Sequence, residues 1–392
     1  MFQAKRVPSQ SRRLFAALCM VLGLLIPLTY TTVRFGQVSS SDLEFVKAER
    51  RGVVYLRPMA TLIAAIADSE SVAVAGRRPD PRALTKAVAA VAEADRTVGG
   101  SLRVRDSWAD LQSRMAELTA TPHTGRNAYR AYSEVMDVAL FLMLRVGDTS
   151  KLILDPEIDS YYLMDAGMLR LPSVIADSGR MSDLEVLRGQ GTGKDLPLAR
   201  VLVARDRVST AASAVKAGLA KSFGSSASSS IGKDLLVKID AFHTALEPLA
   251  PSAPLVDQPL PPRADLMEGR RSELTRTTLE LDIGALGELD QLLASRERNI
   301  EQNRFVVLMV LIAGLALATV GLVWRARASG SGRKGPRAES GSSPTWAVSS
   351  ADARNEKKPE DDEPTGLQPD KVPPSGPRHG RPTGKKAAGA SR

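Results

Sequence analysis

The sequence predicts an all-α membrane protein: an extracytoplasmic helical bundle between two transmembrane helices, followed by a disordered C-terminal tail. Three observations lead to this fold class. Two uncharged apolar stretches lie near the ends, the region between them is rich in helix-forming residues, and the tail is poor in large apolar side chains. The length of the middle region suits an elongated domain of one four-helix bundle or two stacked four-helix bundles.

The two apolar stretches, Leu14–Val33 and Phe305–Trp324, each contain about 20 residues without a charge. At a rise of about 1.5 Å per residue, each would cross a hydrocarbon core about 30 Å thick. Basic residues precede the first stretch, as in a signal peptide, but its end lacks a small-residue cleavage pattern. We therefore expect an uncleaved anchor there.

Net charge indicates how the chain is oriented. Residues 1–13 carry four Lys or Arg and no acid, and residues 325–392 carry 14 Lys or Arg against eight Asp or Glu. Since the whole chain has a net charge of +9, the residues between carry a net charge of −1. Basic flanks are retained in the cytoplasm, so we expect a two-pass protein of the cytoplasmic membrane. A nucleic-acid partner is not expected, because the basic charge flanks the spans and is not gathered on a folded face.

These predictions divide the chain into five segments. They are a basic cytoplasmic N-terminus (1–13), a first transmembrane helix (14–33), an extracytoplasmic helical domain (34–304), a second transmembrane helix (305–324) and a disordered cytoplasmic tail (325–392). The tail is rich in Gly, Ser, Pro and charged residues, which cannot bury enough apolar surface to offset chain entropy.

The sequence of the outer domain predicts helix almost throughout. A capping box at Ser41–Glu44 predicts a helix that begins there and reaches toward Ala75. Pro58 lacks an amide hydrogen, so we expect a kink or break near Arg57 and Pro58. Further helices are predicted at about 81–119, 126–149, 156–178, 182–222, 231–248 and 264–303.

The last of these helices is predicted to enter the second span directly. Leu266, Leu274, Leu281, Leu289 and Leu293 follow one stripe at helical spacing, as expected of a helix that buries one face. No Gly or Pro occurs from Glu288 to Ala313. A single rigid helix could therefore connect the outer domain to the cytoplasm. Such continuity would allow a signal to pass, but single-pass helices in general share it.

Catalytic and metal-binding patterns are absent from the sequence. The three histidines, His123, His243 and His379, are isolated and have no metal-ligand spacing. The segment RGQGTGKD at 188–195 has Arg188 where a phosphate-binding loop needs its first Gly, and Asp195 where it needs Ser or Thr. We expect no enzyme activity, no metal and no cofactor.

The segment LDPEIDSYYLMDAGMLRLP, from Leu154 to Pro172, concentrates tyrosine and acid in a chain with 4% aromatic residues. Asp155 is placed to cap a helix with Pro156 in its first turn. One apolar stripe of that helix carries Tyr161, and the neighbouring row carries Tyr162 and Asp165. A carboxylate on such a face must be paired. Either tyrosine hydroxyls or an arginine of a neighbouring helix satisfy Asp165, or these side chains and Arg170 line a pocket for a small polar ligand.

This segment resembles a motif, D-P-x-x-D-S-Y-Y-L-M-D followed by L-P, of the periplasmic helical sensor regions of bacterial methyl-accepting chemotaxis proteins and related transmembrane sensor kinases. A second segment, ERRGVVYLRPM at 49–59, matches the pattern E-R-x-G-x-x-Y-x-x-P of the same regions. Together with the two spans, the resemblance covers about residues 14–324. The chain departs from the family after Trp324, where the HAMP linker and the cytoplasmic output modules are lacking.

The resemblance implies a membrane-anchored sensor that detects an extracytoplasmic small molecule or partner and relays it to a separate signalling protein, as in chemotaxis. A homodimer is compatible with this layout. The alternative is a structural or scaffold membrane protein, or a truncated receptor relic, that binds no ligand. The residues expected to bind a ligand are Arg50, Tyr55, Arg57, Tyr161, Tyr162, Asp165 and Arg170.

Overall fold

The computed structural model describes residues 9–190, 198–225, 233–250 and 264–330, and these residues form helices without a single strand. This confirms the all-α class. The helices are α1 Ser9–Val74, α2 Pro81–Ala94, α3 Gly100–Leu102, α4 Arg105–Ala120, α5 Gly125–Thr149, α6 Ile158–Met164, α7 Leu171–Gly189, α8 Leu198–Ser225, α9 Lys233–Leu246 and α10 Ala264–Gly330. Of the predicted disordered tail, everything after Gly330 lies outside the described residues.

Two π-helical turns join helices that are otherwise continuous. Asp95–Gly99 connects α2 to α3, and Asp165–Arg170 connects α6 to α7. A π turn adds a residue to the helical repeat and so changes which side chains face the core beyond it. Tyr161, which precedes the second π turn, is 42% exposed, whereas Met168 within the turn and Ile175 after it are buried.

The first helix, α1, corrects two expectations. It begins at Ser9 and runs to Val74, so the capping box at Ser41–Glu44 lies within a helix and does not start one. The helix also continues through Pro58 without the predicted break. Pro58 leaves the carbonyl of Val54 without its helical partner, but the Val54 side chain is 47% exposed, so water can reach that side of the helix. Leu56 and Met59 are fully buried on either side of Pro58 and fix its position.

Two further boundaries differ from the sequence prediction. The helix expected over 81–119 ends at Leu102, because Arg103 adopts a left-handed conformation with φ +54° and α4 starts at Arg105. The helix expected over 182–222 is divided between α7, which ends at Gly189, and α8, which begins at Leu198. The predicted gap between 178 and 182 lies inside α7.

The core lies where α1 packs against α5, α7 and α10. From α1 it receives the fully buried side chains of Leu56, Met59, Leu62, Ile63 and Ile66. From α10 it receives Leu274, Leu281, Leu289 and Leu293, each 0% exposed, which confirms the predicted leucine stripe at these positions. The remaining member, Leu266, has a side chain outside the described set.

Within the described residues, one helix is long and apolar enough to cross a membrane, and this helix is α10. Its most apolar window has a mean hydropathy of 2.3 and is not buried against the rest of the chain. The window belongs to the second predicted span, where Phe305, Leu317 and Val320 are 62%, 73% and 65% exposed.

Gly52 of α1 allows a close approach to the turn that follows α5. A Cβ atom at Gly52 would lie 2.4 Å from Ser150 Oγ and 2.7 Å from Leu152 Cδ1. Ser150 and Leu152 are both fully buried. The turn can therefore pack directly on the backbone of α1 only because position 52 has no side chain.

The substitution Gly52→Ala should destabilise the protein by about 1–3 kcal/mol, because the added methyl group overpacks this contact. Urea unfolding of the full chain in detergent micelles would measure the loss. Gly269→Ala is the matched control, since no heavy atom lies within 4 Å of the new Cβ atom; it should gain about 0.5–1 kcal/mol from lower backbone entropy of the unfolded chain. Equal stability of Gly52→Ala and the native chain would contradict the close contact.

Candidate functional site

Two of the predicted ligand-binding residues of α1 are engaged with α10. Arg50 donates to Asp290 Oδ1 at 3.0 Å and to Glu297 Oε2 at 2.7 Å. Arg57 Nη2 donates to the carbonyl oxygen of Leu286 at 3.4 Å. Both arginines therefore connect α1 to α10.

Tyr55, the third predicted residue of α1, points elsewhere. It is fully buried, and its hydroxyl donates to Asp95 Oδ1 in the first π turn at 3.3 Å. Burial and the nearby carboxylate raise the pKa of Tyr55 above its ordinary value. The hydroxyl is therefore a neutral donor that fastens α1 to the π turn.

Of the two adjacent tyrosines, Tyr162 packs against α8. Tyr161 and Tyr162 contact each other edge to face with ring centroids 5.4 Å apart. Lys221 Nζ donates to the Tyr162 hydroxyl at 3.2 Å and also lies over its ring. At Gly218 an added Cβ atom would be 3.1 Å from Tyr162 Cδ1, so the absence of a side chain there makes space for the ring.

Asp165 is paired inside the second π turn. Arg170 Nε lies 3.2 Å from its Oδ2 atom. The two residues are five positions apart, a spacing that the wider π turn brings onto one face. Among the described residues, the partner of Asp165 is therefore an arginine of its own helical segment. This differs from the first of the two alternatives, pairing with a tyrosine hydroxyl or with an arginine of a neighbouring helix, and the second, a ligand pocket, stays a prediction.

Two cavities among the described residues can be compared with the seven predicted positions. One cavity of about 400 Å³ lies between the loop after α1 and the loop after α4, with Arg78 and His123 in its walls. Another of about 300 Å³ lies between α5, α7 and α8. None of the seven residues lines either one, so their role in binding remains a prediction.

A polar cluster around Arg296 brings together parts of both segments, 49–59 and 154–172, on which the resemblance rests. Arg296 of α10 donates from Nη1 to both carboxylate oxygens of Asp155, each at 3.0 Å. Its Nη2 lies 2.6 Å from Ser160 Oγ, 2.7 Å from Glu157 Oε2 and 3.3 Å from Asp159 Oδ1. We call this group, with Glu49, the Arg296 junction.

Local structure orients the acids of the junction. The segment before α6 is extended, and Asp155 Oδ1 accepts a hydrogen bond from the backbone amide of Glu157 at 3.0 Å. Asp159 Oδ1 accepts one from the amide of Ser160 at 2.8 Å. Helix α6 begins at Ile158, two residues after the predicted start at Pro156. The carboxylates thus gather at the positive end of α6, where a helix favours them.

The junction is largely withdrawn from water. The Arg296 side chain is 15% exposed and that of Asp155 is 0% exposed. Charge-assisted hydrogen bonds are strong in such surroundings, and removing one partner leaves the other charged and buried. Arg296 therefore holds the start of α6 against α10.

Glu49 completes the junction from α1. It is fully buried, and in the described part of the chain neither of its carboxylate oxygens has a hydrogen-bond partner. Burial raises the pKa of Glu49 to about 8, the charge of Asp155 adds to this effect, and Arg296 opposes it. At neutral pH the side chain is accordingly mostly protonated.

A pair of buried acids, Glu70 and Asp183, lies between α1 and α7. Glu70 is 1% exposed and accepts a hydrogen bond from Ser133 Oγ at 2.9 Å, and Asp183 is also 1% exposed. Burial raises the pKa of both carboxyls, that of Asp183 to about 7. Two adjacent buried carboxyls cannot both ionise at low cost, so this pair holds a proton in the folded state.

Glu49 and Asp155 lie in the two motifs, but the sequence does not identify them as binding residues. It gives no such indication for Arg296 either. The only local signal for Arg296 is its place in the charged stretch just before the second apolar segment. Its partners lie 141 and 137 positions earlier in the chain, at Asp155 and Asp159. Among the described residues, no group of three or more His, Cys, Asp or Glu side chains is placed to hold a metal ion.

The substitution Glu49→Gln should flatten the dependence of stability on pH. Since the pKa of Glu49 is raised from 4.5 to about 8 by folding, its favourable contribution is complete below pH 4.5 and is lost as the pH rises to 8. Between pH 4.5 and pH 8, the free energy of unfolding of the variant should rise relative to that of the native chain by on the order of 4 kcal/mol. Urea titrations of full-length protein at several pH values would measure this gain.

The matched control is Glu44→Gln, at an exposed position of the same helix, and it should follow the profile of the native chain. If Glu49→Gln gave a profile parallel to the native one, the carboxyl would not be a buried, protonated group.

Comparison of the chain with protein-family models, with curated proteins and with solved structures found no match. The sequence patterns and the contacts described above are therefore the basis for a functional proposal.

Proposed function

We propose that this protein is a chemoreceptor-like membrane sensor whose outer helices detect a small molecule or partner and relay the signal through the transmembrane helices to a separate output protein. One observation carries the proposal: Arg296, which binds the start of α6, lies on the same uninterrupted helix as the second apolar span. A displacement of α6 would act directly on α10.

The proposed membrane arrangement has two passes with both termini in the cytoplasm. The first span would be the N-terminal part of α1, where Phe15, Ile26 and Tyr30 are 69%, 63% and 65% exposed. It adjoins the second span: a Cβ atom built at Gly314 lies 3.9 Å from Leu28 Cδ2. Apolar side chains that face outward suit lipid, and a small residue at the contact suits closely packed transmembrane helices.

Between the spans and the core, α1 and α10 are tied by charge. Arg50 binds Asp290 and Glu297, and Lys47 Nζ lies 4.0 Å from Glu297. We propose that α1, α5, α7 and α10 form the helical bundle of the outer domain. A signal that shifts α10 along α1 would exchange these ion pairs, which provides the two alternative arrangements that a relay needs.

The alternative, a scaffold that binds nothing, has an observation in its favour. Four side chains, those of Asp155, Glu157, Asp159 and Ser160, contact the guanidinium of Arg296, as expected of a fixed structural contact. A scaffold and a relay differ in whether a change at Arg296 reaches the membrane-spanning part of α10.

Cysteine cross-linking of the two spans distinguishes these functions. Leu28→Cys and Gly314→Cys, with native Cys19 replaced by Ala, would report how often the spans meet, through the rate of reaction with a short bifunctional maleimide. Residue 314 lies 18 positions after Arg296, about 27 Å along the helix. In full-length protein in lipid nanodiscs, Arg296→Gln should change this rate at least threefold, because α10 is released from α6.

Arg298→Gln is the matched control. Arg298 lies on the same helix but is exposed, and among the described residues it donates to the carbonyl oxygen of Ala294 alone, so its loss should leave the rate unchanged. Circular dichroism would verify that both variants retain their helices. Equal cross-linking rates in the folded Arg296→Gln and Arg298→Gln variants would favour the scaffold and contradict the relay.

A further inference from the structure

The cavity between α5, α7 and α8 has a cationic lining. Its charged side chains are Arg180, Arg200, Arg207 and Asp177, three arginines against one aspartate. The volume of about 300 Å³ is at the lower end of the range for small-ligand sites. Both the size and the sign of the charge suit a small anion.

The arginines of this cavity differ in how they are paired. Arg180 of α7 is 17% exposed, forms an ion pair with Asp137 and lies 3.6 Å from Asp177. Arg200 and Arg207 of α8 are exposed, and neither forms an ion pair with any residue that the structure describes. The charges of Asp177 and Arg207 interact, but neither Arg200 nor Arg207 is held at ion-pair distance by a described carboxylate. A guanidinium fork matches an added carboxylate with two parallel hydrogen bonds.

Helical spacing determines how the two available charges are arranged. Arg200 and Arg207 are seven residues apart, so they lie on one face of α8, separated by about 10.5 Å along its axis. Between them the same face carries Val203 and Ala204, and Leu184 of α7 also lines the cavity. This face of α8 thus presents two cationic groups with apolar side chains between them.

We propose that this cavity binds a small organic dianion, with two carboxylate groups at the ends of a short apolar body. Arg200 and Arg207 bind the two carboxylates, and Val203, Ala204 and Leu184 contact the body. The inference names a ligand class for the proposed sensor and rests on that function for its physiological role. The binding itself is tested independently of signal transmission.

Isothermal titration of the full-length protein in lipid nanodiscs tests the site. The probes are adipate, its six-carbon monoacid counterpart hexanoate, and inorganic phosphate, all at pH 7. Adipate should bind saturably, hexanoate at least tenfold more weakly because one end is uncharged, and phosphate at least tenfold more weakly because it has no apolar body. Arg200→Gln combined with Arg207→Gln should weaken adipate binding at least tenfold, while both positions are exposed and should tolerate the change.

Arg114→Gln is the matched control, since Arg114 is an exposed arginine of α4 whose ion pair, with Asp110, lies within its own helix; this variant should bind adipate as the native chain does. Absence of saturable adipate binding, or equal binding by the double variant, would overturn the proposal. Phosphate or hexanoate that bound as tightly as adipate would overturn the dianion class. Adipate binding without any effect of Arg296→Gln on the cross-linking rate would retain the site and reject the relay.

Discussion

The pairing of Arg296 with the Asp155 carboxylate removes two opposite charges from water at the point where α10 passes the start of α6. Desolvation of each ion costs several kcal/mol, and only close, well-directed hydrogen bonds offset it. Asp159, Ser160 and Glu157 provide those further contacts. The positions of α6 and α10 are consequently interdependent. Helix α1 packs on α10 and is joined to it by Arg50. The position of α1 therefore depends on that of α10, which the pairing of Arg296 with Asp155 fixes.

Several buried carboxyls share this core, and they limit its stability at high pH. Asp282 of α10 is fully buried, and burial raises its pKa well above the ordinary value. Glu49, Glu70 and Asp183 have raised pKa values for the same reason. A carboxyl that is neutral in the fold and ionised in the unfolded chain favours unfolding as the pH rises. The core therefore depends on retained protons as well as on its apolar side chains.

The sequence was sufficient for features set by local patterns. The all-α class, the leucine stripe of α10 and the apolar stretch at 305–324 follow from helical spacing and hydropathy. Features set by distant contacts could not be read in this way. In the sequence Arg296 is one of several charges in a polar stretch, and only the fold brings Asp155 and Asp159 to it. The π turn at Asp165–Arg170 likewise changes the helical period after Tyr161, which a regular period does not predict.

Amide hydrogen exchange along α10, in full-length protein in lipid nanodiscs, most directly tests whether the helix transmits force from Arg296 to the membrane. A continuous, anchored helix predicts slow exchange from residue 290 through 305, without an unprotected gap. The approach to the span carries only exposed side chains from Glu301 to Arg304, so protection there would come from the helix itself. Rapid exchange confined to residues 297–304 would reveal a hinge that separates the junction from the span, and it would contradict the relay.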